Sequence, residues 1–169
     1  MSRTFAIALI ALSTMACNNQ ERREERAEED ARDVERVEAA QNVQPPIRML
    51  AIEPITKADI EKAGLLGANC TFVPPGKPGT YVVLAMADAA YLKVEGELGT
   101  YAADKGSPPL PLSGWTRYEG RSHIIDLQIV GGEGTQSGEK ATDWPGRLSI
   151  RDPYSRLVYS AAGTVRCGA

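Results

Sequence analysis

The chain has a single histidine, His123, so an imidazole zinc site or a Ser-His-Asp relay would rest on that one ring. No group of His, Cys and Asp has metal-ligand spacing, and no cofactor is implied. Gly131-Gly132-Glu133-Gly134 lacks the Gly-Lys-Ser/Thr of a phosphate loop and precedes no helical pattern, so it reads as a hairpin loop. No spacing pairs two carboxylates as a glycoside hydrolase needs. Two phenylalanines, two tryptophans and six tyrosines leave any core thin in aromatic rings. The longest apolar stretch, Phe5–Ala16, has 12 residues, short of the roughly 20 that span a bilayer. A basic stripe is missing as well: residues 46–169 carry 13 acidic and 13 basic side chains, which argues against a nucleic-acid partner.

What is present starts at the N-terminus. Met1-Ser2-Arg3-Thr4 followed by the apolar run has the layout of an export signal. The run ends Leu12-Ser13-Thr14-Met15-Ala16-Cys17, and Ala16-Cys17 resembles the lipobox of bacterial lipoproteins. The resemblance implies cleavage before Cys17, acylation of its sulfur and a membrane anchor. Asn18, where aspartate would imply inner-membrane retention, points to the outer membrane and the periplasmic side of the envelope. Ordinary cleavage after Thr14-Met15-Ala16, giving a simply secreted protein, is the competing reading. With Cys17 taken by lipid, the odd count of three cysteines leaves Cys70 and Cys167 as a pair. We expect them to form a disulfide joining the first strand of the domain to the last in an oxidising compartment.

Residues 18–45 hold nine acidic side chains against five arginines, a net charge of -4. Ala, Glu and Arg favour helix, but many i,i+4 pairs are like-charged, such as Glu21–Glu25 and Arg32–Arg36. Only Val34 and Val37 could seed an apolar seam, so no coiled coil is expected. The stretch reads as a solvated tether, flexible or partly helical, ended by Pro45-Pro46. The domain plan is thus a signal and anchor cysteine over 1–17, a tether over 18–45, and a folded domain over 46–169.

In that domain Ile47–Pro54 alternates like a strand, and Thr56 with Asp59 makes a capping box for a short helix ended by Gly64. Leu65 and Leu66 are expected to seat that turn on the core. Beyond it, runs over 70–73, 81–86, 90–95, 98–103, 124–130, 147–151 and 157–167 are separated by Gly, Pro and Ser clusters. Their spacing predicts an all-β fold, a small antiparallel barrel or sandwich with one short N-terminal helical turn and one disulfide. Asp152-Pro153-Tyr154-Ser155 and Gly96 mark hairpin turns. Gly163 suggests a bulge in the last strand.

Loop-borne aromatic and arginine residues are the usual material of binding sites. Ser113, Trp115, Arg117, Tyr118 and Arg121 form such a group, while Trp144 reads as a loop plug. Pro108-Pro109-Leu110-Pro111-Leu112 reads as a rigid segment crossing one end of the fold. His123 reads as a rim residue at a strand end. Two likenesses bear on function. Gly64-Leu65-Leu66-Gly67 through Cys70 and Phe72, with the terminal Cys167-Gly168-Ala169, resembles an uncharacterised alphaproteobacterial lipoprotein family, which implies no activity. Ser113-Gly114-Trp115-Thr116-Arg117-Tyr118 resembles, with one residue more before the tyrosine, the Ser-Gly-x-x-Tyr segment of bacterial inhibitors of C-type lysozyme. That likeness implies inhibition of a wall hydrolase through Ser113 and Tyr118. The expectation is a non-catalytic, lipid-anchored binding or structural domain, with an envelope protein as its candidate partner and with the inhibitor and, last, an enzyme as alternatives.

Overall fold

The computed structural model describes residues 10–41 and 43–169, with side chains from residue 20 onward and Ser113's excepted. The start of the expected signal segment and the Cys17 side chain lie outside the described part. The chain forms two units, residues 1–45 and 46–169. In the first, α1 (Ile10–Gln41) is one continuous helix, more regular than a partly helical tether. Its helix-favouring composition, with the Arg32–Glu28 and Arg36–Asp33 pairs, outweighs the like-charged spacings. Residues 20–41 are exposed throughout.

In the second unit, β1 (Ile52–Glu53) is a two-residue remnant of the strand expected over 47–54. Ile47 and Met49 are exposed and lie outside the strand pairing, which starts at Ile52 after Leu50 N donates to Val158 O. Helix α2 (Lys57–Ala63) has the expected reciprocal capping box between Thr56 and Asp59 and ends at Gly64 with φ +66°. Leu65 seats it, packing with Ile55 and Leu84. Leu66 does not, being 77% exposed.

Nine further strands follow: β2 (Asn69–Val73), β3 (Val83–Ala85), β4 (Ala89–Val94), β5 (Glu97–Ala103), β6 (Arg117–Glu119), β7 (Ile124–Ile129), β8 (Thr135–Gly138), β9 (Ala141–Arg151) and β10 (Leu157–Gly168). Eight of them close an antiparallel barrel in the order β2-β3-β4-β5-β6-β7-β9-β10, with β10 returning to pair β2. The disulfide sits in that closing seam: Cys70 and Cys167 are direct register partners, Cα atoms 4.0 Å apart. β1 extends the sheet beside β4 beyond the end of β3, and β8 does the same beside β9 beyond the end of β7.

Alternation decides what the barrel contains. Phe72, Leu92, Tyr118, Ile125, Leu127, Leu148, Ile150 and Val165 point inward and are fully buried, filling an interior that in an eight-stranded barrel is about wide enough for side chains alone. A second, smaller cluster lies on the other face of the wall, where Leu84 meets Ile55 and Leu65 with Ile60, Tyr91 and Leu98 against it.

Two expectations need correction. Gly163 is no bulge: it pairs with Gly146 in unbroken register, and the irregularity lies between Leu157 and Tyr159. A Cβ on Gly163 would come within 2.6 Å of the Phe72 ring, so the glycine makes room for that ring. Trp144 is in strand β9 rather than a loop. The following Pro145 is tolerated mid-strand because its carbonyl, which accepts from Val130 N, faces the column where β8 has ended and β7 begins. The missing N–H falls on that same side, at the break.

Candidate functional site

The barrel has two unlike ends. At one, the connections are turns: residues 74–82, 95–96, 120–123 and 152–156. At the other are the short 86–88 turn, the β7–β9 excursion through β8, and a long segment over 104–116 between β5 and β6. This last segment, called the strap below, contains Ser113 and Trp115 and the whole Pro108–Leu112 run, whereas Arg117, Tyr118 and Arg121 lie beyond it.

The strap begins with an Asp-centred turn in which Asp104 accepts from Gly106 N through Oδ1 at 2.9 Å and from Ser107 N through its carbonyl at 3.0 Å. Its prolines supply no N–H, and two backbone bonds close it on itself: Leu110 N to Gly114 O at 2.7 Å and Thr116 N to Pro108 O at 2.9 Å. Leu110 is buried in the same cluster as Cys70 and Cys167. A single 3₁₀ turn, Pro111–Ser113, lies beside β2 and β10, with Leu112 at φ +57°. From its origin on β5 the strap has therefore crossed the end of the barrel to the opposite wall.

Two aromatic residues latch it. Tyr118, fully buried on β6, accepts from Trp115 N at 2.8 Å and donates to Met86 O at 2.8 Å. The Trp115 indole donates to Ala87 O at 2.9 Å. Gly114 is compressed beneath: a Cβ there would meet Leu110 Cβ at 3.3 Å and the Tyr118 oxygen at 3.5 Å. Burial pushes the Tyr118 phenol up from its ordinary value, partly offset by the Trp115 N–H.

The sequence group thus divides. Trp115 and Tyr118 are brought together; Arg117, one residue from Tyr118 on the same strand, points outward. Its Nε lies 2.8 Å from Glu119 Oε1 and 3.9 Å from Asp104 Oδ2, and its Nη1 3.4 Å from Asp126. Glu119, first, and these other carboxylates raise its pKa further. Arg121 is exposed in the 120–123 turn at the other end of the hairpin. Ser113 closes the 3₁₀ turn, and its side chain lies outside the described part. Placing no strand between the runs at 98–103 and 124–130 missed β6, whose three residues send Tyr118 inward and Arg117 outward. A groove of about 370 Å³ runs outside the seam between α2 and β10, and another of about 520 Å³ lies between the strap and β7, where Arg117, Asp126 and Gln128 meet Pro108, Pro109 and Leu110.

His123 is half-buried at the turn end, its Nδ1 3.3 Å from the Tyr101 hydroxyl. Burial lowers its pKa and the charge of Asp152 offsets part of that. Asp152 is occupied elsewhere: it accepts from the N–H groups of Tyr154 and Arg156, each at 2.9 Å, and from Arg156 Nε at 2.7 Å. Hydrogen bonds from Arg156 and these amides hold its carboxyl below the usual range against the opposing effect of burial. Among the described residues no group of three or more His, Cys, Asp or Glu could hold a metal ion. Compared with protein families, curated proteins and solved structures, the chain matches none.

Proposed function

We propose that this protein is a lipid-anchored domain on the periplasmic side of the cell envelope, with a non-catalytic binding or structural role. The observation that carries this reading is the disulfide in the closing seam of the barrel, a bond that persists in oxidising compartments. The export-type N-terminus and Ala16-Cys17 supply the address. Support for a non-catalytic role comes from the chemistry already spent: the Asp152 carboxylate is held by Arg156, the two sulfurs are bonded to each other, and the barrel interior is filled by side chains. The anchored reading gives α1 the part of a spacer, its exposed residues 20–41 extending about 33 Å at 1.5 Å per residue. The folded unit is entered at its turn end, where Leu50 meets Val158. The strap end is therefore the face presented away from the entry. Inhibition of a wall hydrolase through Tyr118 gains no support, since that hydroxyl is used inside the fold.

Fractionation of cells producing the wild type and Cys17→Ser tests the address. The wild type is expected with the membranes and the variant in the soluble periplasm, both with Cys70 and Cys167 oxidised. Both forms in the cytosol with free thiols would overturn the reading. Capture from envelope extracts then compares wild type with Trp115→Ala and Arg117→Ala. Loss of a captured protein assigns binding to the strap end, and identical capture by all three removes it from that end.

A further inference from the structure

The strap lies on the one covalent bond that closes the barrel. Cys70 is 0% exposed and Cys167 2% exposed. The Pro111 carbonyl oxygen stands 3.3 Å from Cys70 Sγ, and Leu110, four residues before Gly114, packs into the cluster that contains both cysteines. Each of these covering residues belongs to the 104–116 strap rather than to the barrel wall. The wall strands beside the disulfide are paired on both edges, β10 to β2 and β9, and β2 to β10 and β3. Two routes can therefore expose the sulfurs: the whole barrel comes apart, or the strap lifts.

We infer that the strap is a lid over the seam disulfide, latched by the Tyr118 hydroxyl and the Trp115 indole, so that thiol exchange at Cys70–Cys167 proceeds through strap opening with the barrel intact. The latch is small and sits apart from the strand ladders. It consists of three side-chain hydrogen bonds, two at the Tyr118 oxygen and one at Trp115 Nε1, all to main-chain atoms of residues 86, 87 and 115. Beyond the latch the strap is tied by Leu127 N to Thr116 O, Arg117 N to Ser107 Oγ and the exposed Lys105–Asp88 pair. Such a segment, with exposed Pro108, Pro109 and Leu112, opens at lower free energy than a closed sheet. The chemistry is ordinary exchange. A thiolate of an added dithiol attacks one cysteine sulfur in line, the Cys70–Cys167 bond breaks, and the departing thiolate takes a proton. The dithiol's second sulfur then displaces the other cysteine, so the dithiol ends as a cyclic disulfide and the protein as two thiols. The same geometry orders assembly: an oxidant making this bond must reach the seam before the strap has docked.

The test is the rate of native-state reduction of the full chain by dithiothreitol, read as the gain of two alkylated cysteines by mass, with circular dichroism following the fold in parallel. Tyr118→Phe is expected to speed reduction about tenfold or more, as removal of a buried hydroxyl serving two backbone partners lowers the cost of opening. Trp115→Phe keeps the ring and loses only the bond to Ala87, and is expected to give a smaller acceleration, about threefold to fivefold. Thr56→Ala weakens the cap of α2, away from the strap, and separates the two routes. The proposal predicts that it leaves reduction at the wild-type rate. Acceleration by Thr56→Ala equal to that of Tyr118→Phe would show that global unfolding exposes the bond and would overturn it. So would wild-type rates in both latch variants, or a wild-type disulfide reduced as fast as in denaturant.

Discussion

The two ends of the barrel are closed by different physics. At the turn end three of the four connections, 95–96, 120–123 and 152–156, reverse the chain within five residues, and the connections are held by backbone bonds and charge. Asp152 gathers the amides of Tyr154 and Arg156 with the Arg156 guanidinium, and Glu53 accepts from Gly96 N at 2.8 Å. At the strap end closure is made by contacts distant in sequence: Cys70 with Cys167, 97 residues apart, Tyr118 with Met86, and Trp115 with Ala87. Local chemistry closes one end and long-range packing the other. The second should answer to redox state and to loss of buried side-chain bonds.

The largest expected effect is on the strap end. Cys70→Ser with Cys167→Ser removes a crosslink across nearly a hundred residues, worth about 4–5 kcal/mol by the loop-closure argument. Denaturant unfolding should show the loss with the fold retained at low temperature. Next comes the wall that joins the two ends. Gly163→Ala drives a methyl into Phe72 and the Val73 carbonyl, and overpacking of this kind costs about 1–3 kcal/mol. Tyr118→Phe should cost about 1–3 kcal/mol, because Met86 O and Trp115 N lose a buried partner.

The same contrast explains which parts of the fold could be read in advance. The turn end was legible: Asp152-Pro153-Tyr154-Ser155, Gly96 and the Thr56–Asp59 box are short-range signals written in consecutive residues. The inward sets Ile125-Leu127 and Leu148-Ile150 announced themselves by alternation. The strap end was not legible beyond the crossing proline segment and the disulfide. β8 is Thr135-Gln136-Ser137-Gly138, with no apolar residue to show a period of two, and it is fully exposed. β6 is three residues long, too short for a pattern. Trp144-Pro145-Gly146 carries two loop-forming residues inside a strand, permitted by the break between β8 and β7 and by the Gly146–Gly163 pair. That Tyr118 faces inward depends on where β6 falls, which is settled by β5 and β7.

Both ends share the pH response, since Lys105 holds the Asp88 carboxyl low and Arg166 that of Asp143 at the strap end. Asp152 and Asp59 both titrate low, Asp59 from 3.8 to about 2 through its bonds to Thr56 and Lys93. A depressed carboxyl stabilises the fold above its unfolded value and loses that contribution as pH falls through its folded one. Stability should therefore decline below about pH 4, and Asp152→Asn should flatten part of that decline in urea midpoints measured from pH 5 to 2.5. His123 adds the smallest effect. Burial holds its folded pKa below the ordinary 6.5, so the unfolded chain takes up the proton first and stability slips slightly as pH drops below about 6.5. His123→Asn should abolish that slope and leave the strap-end responses unchanged. A slope that persists in the variant would assign it to another group.

The seam disulfide is the feature on which compartment, closure and lid all depend. Protein recovered from cells under acid quench, alkylated without reduction and digested, should yield the peptide bearing Cys70 covalently joined to that bearing Cys167, and the link should disappear on reduction. Recovery of both cysteines alkylated before any reductant is added would contradict the account.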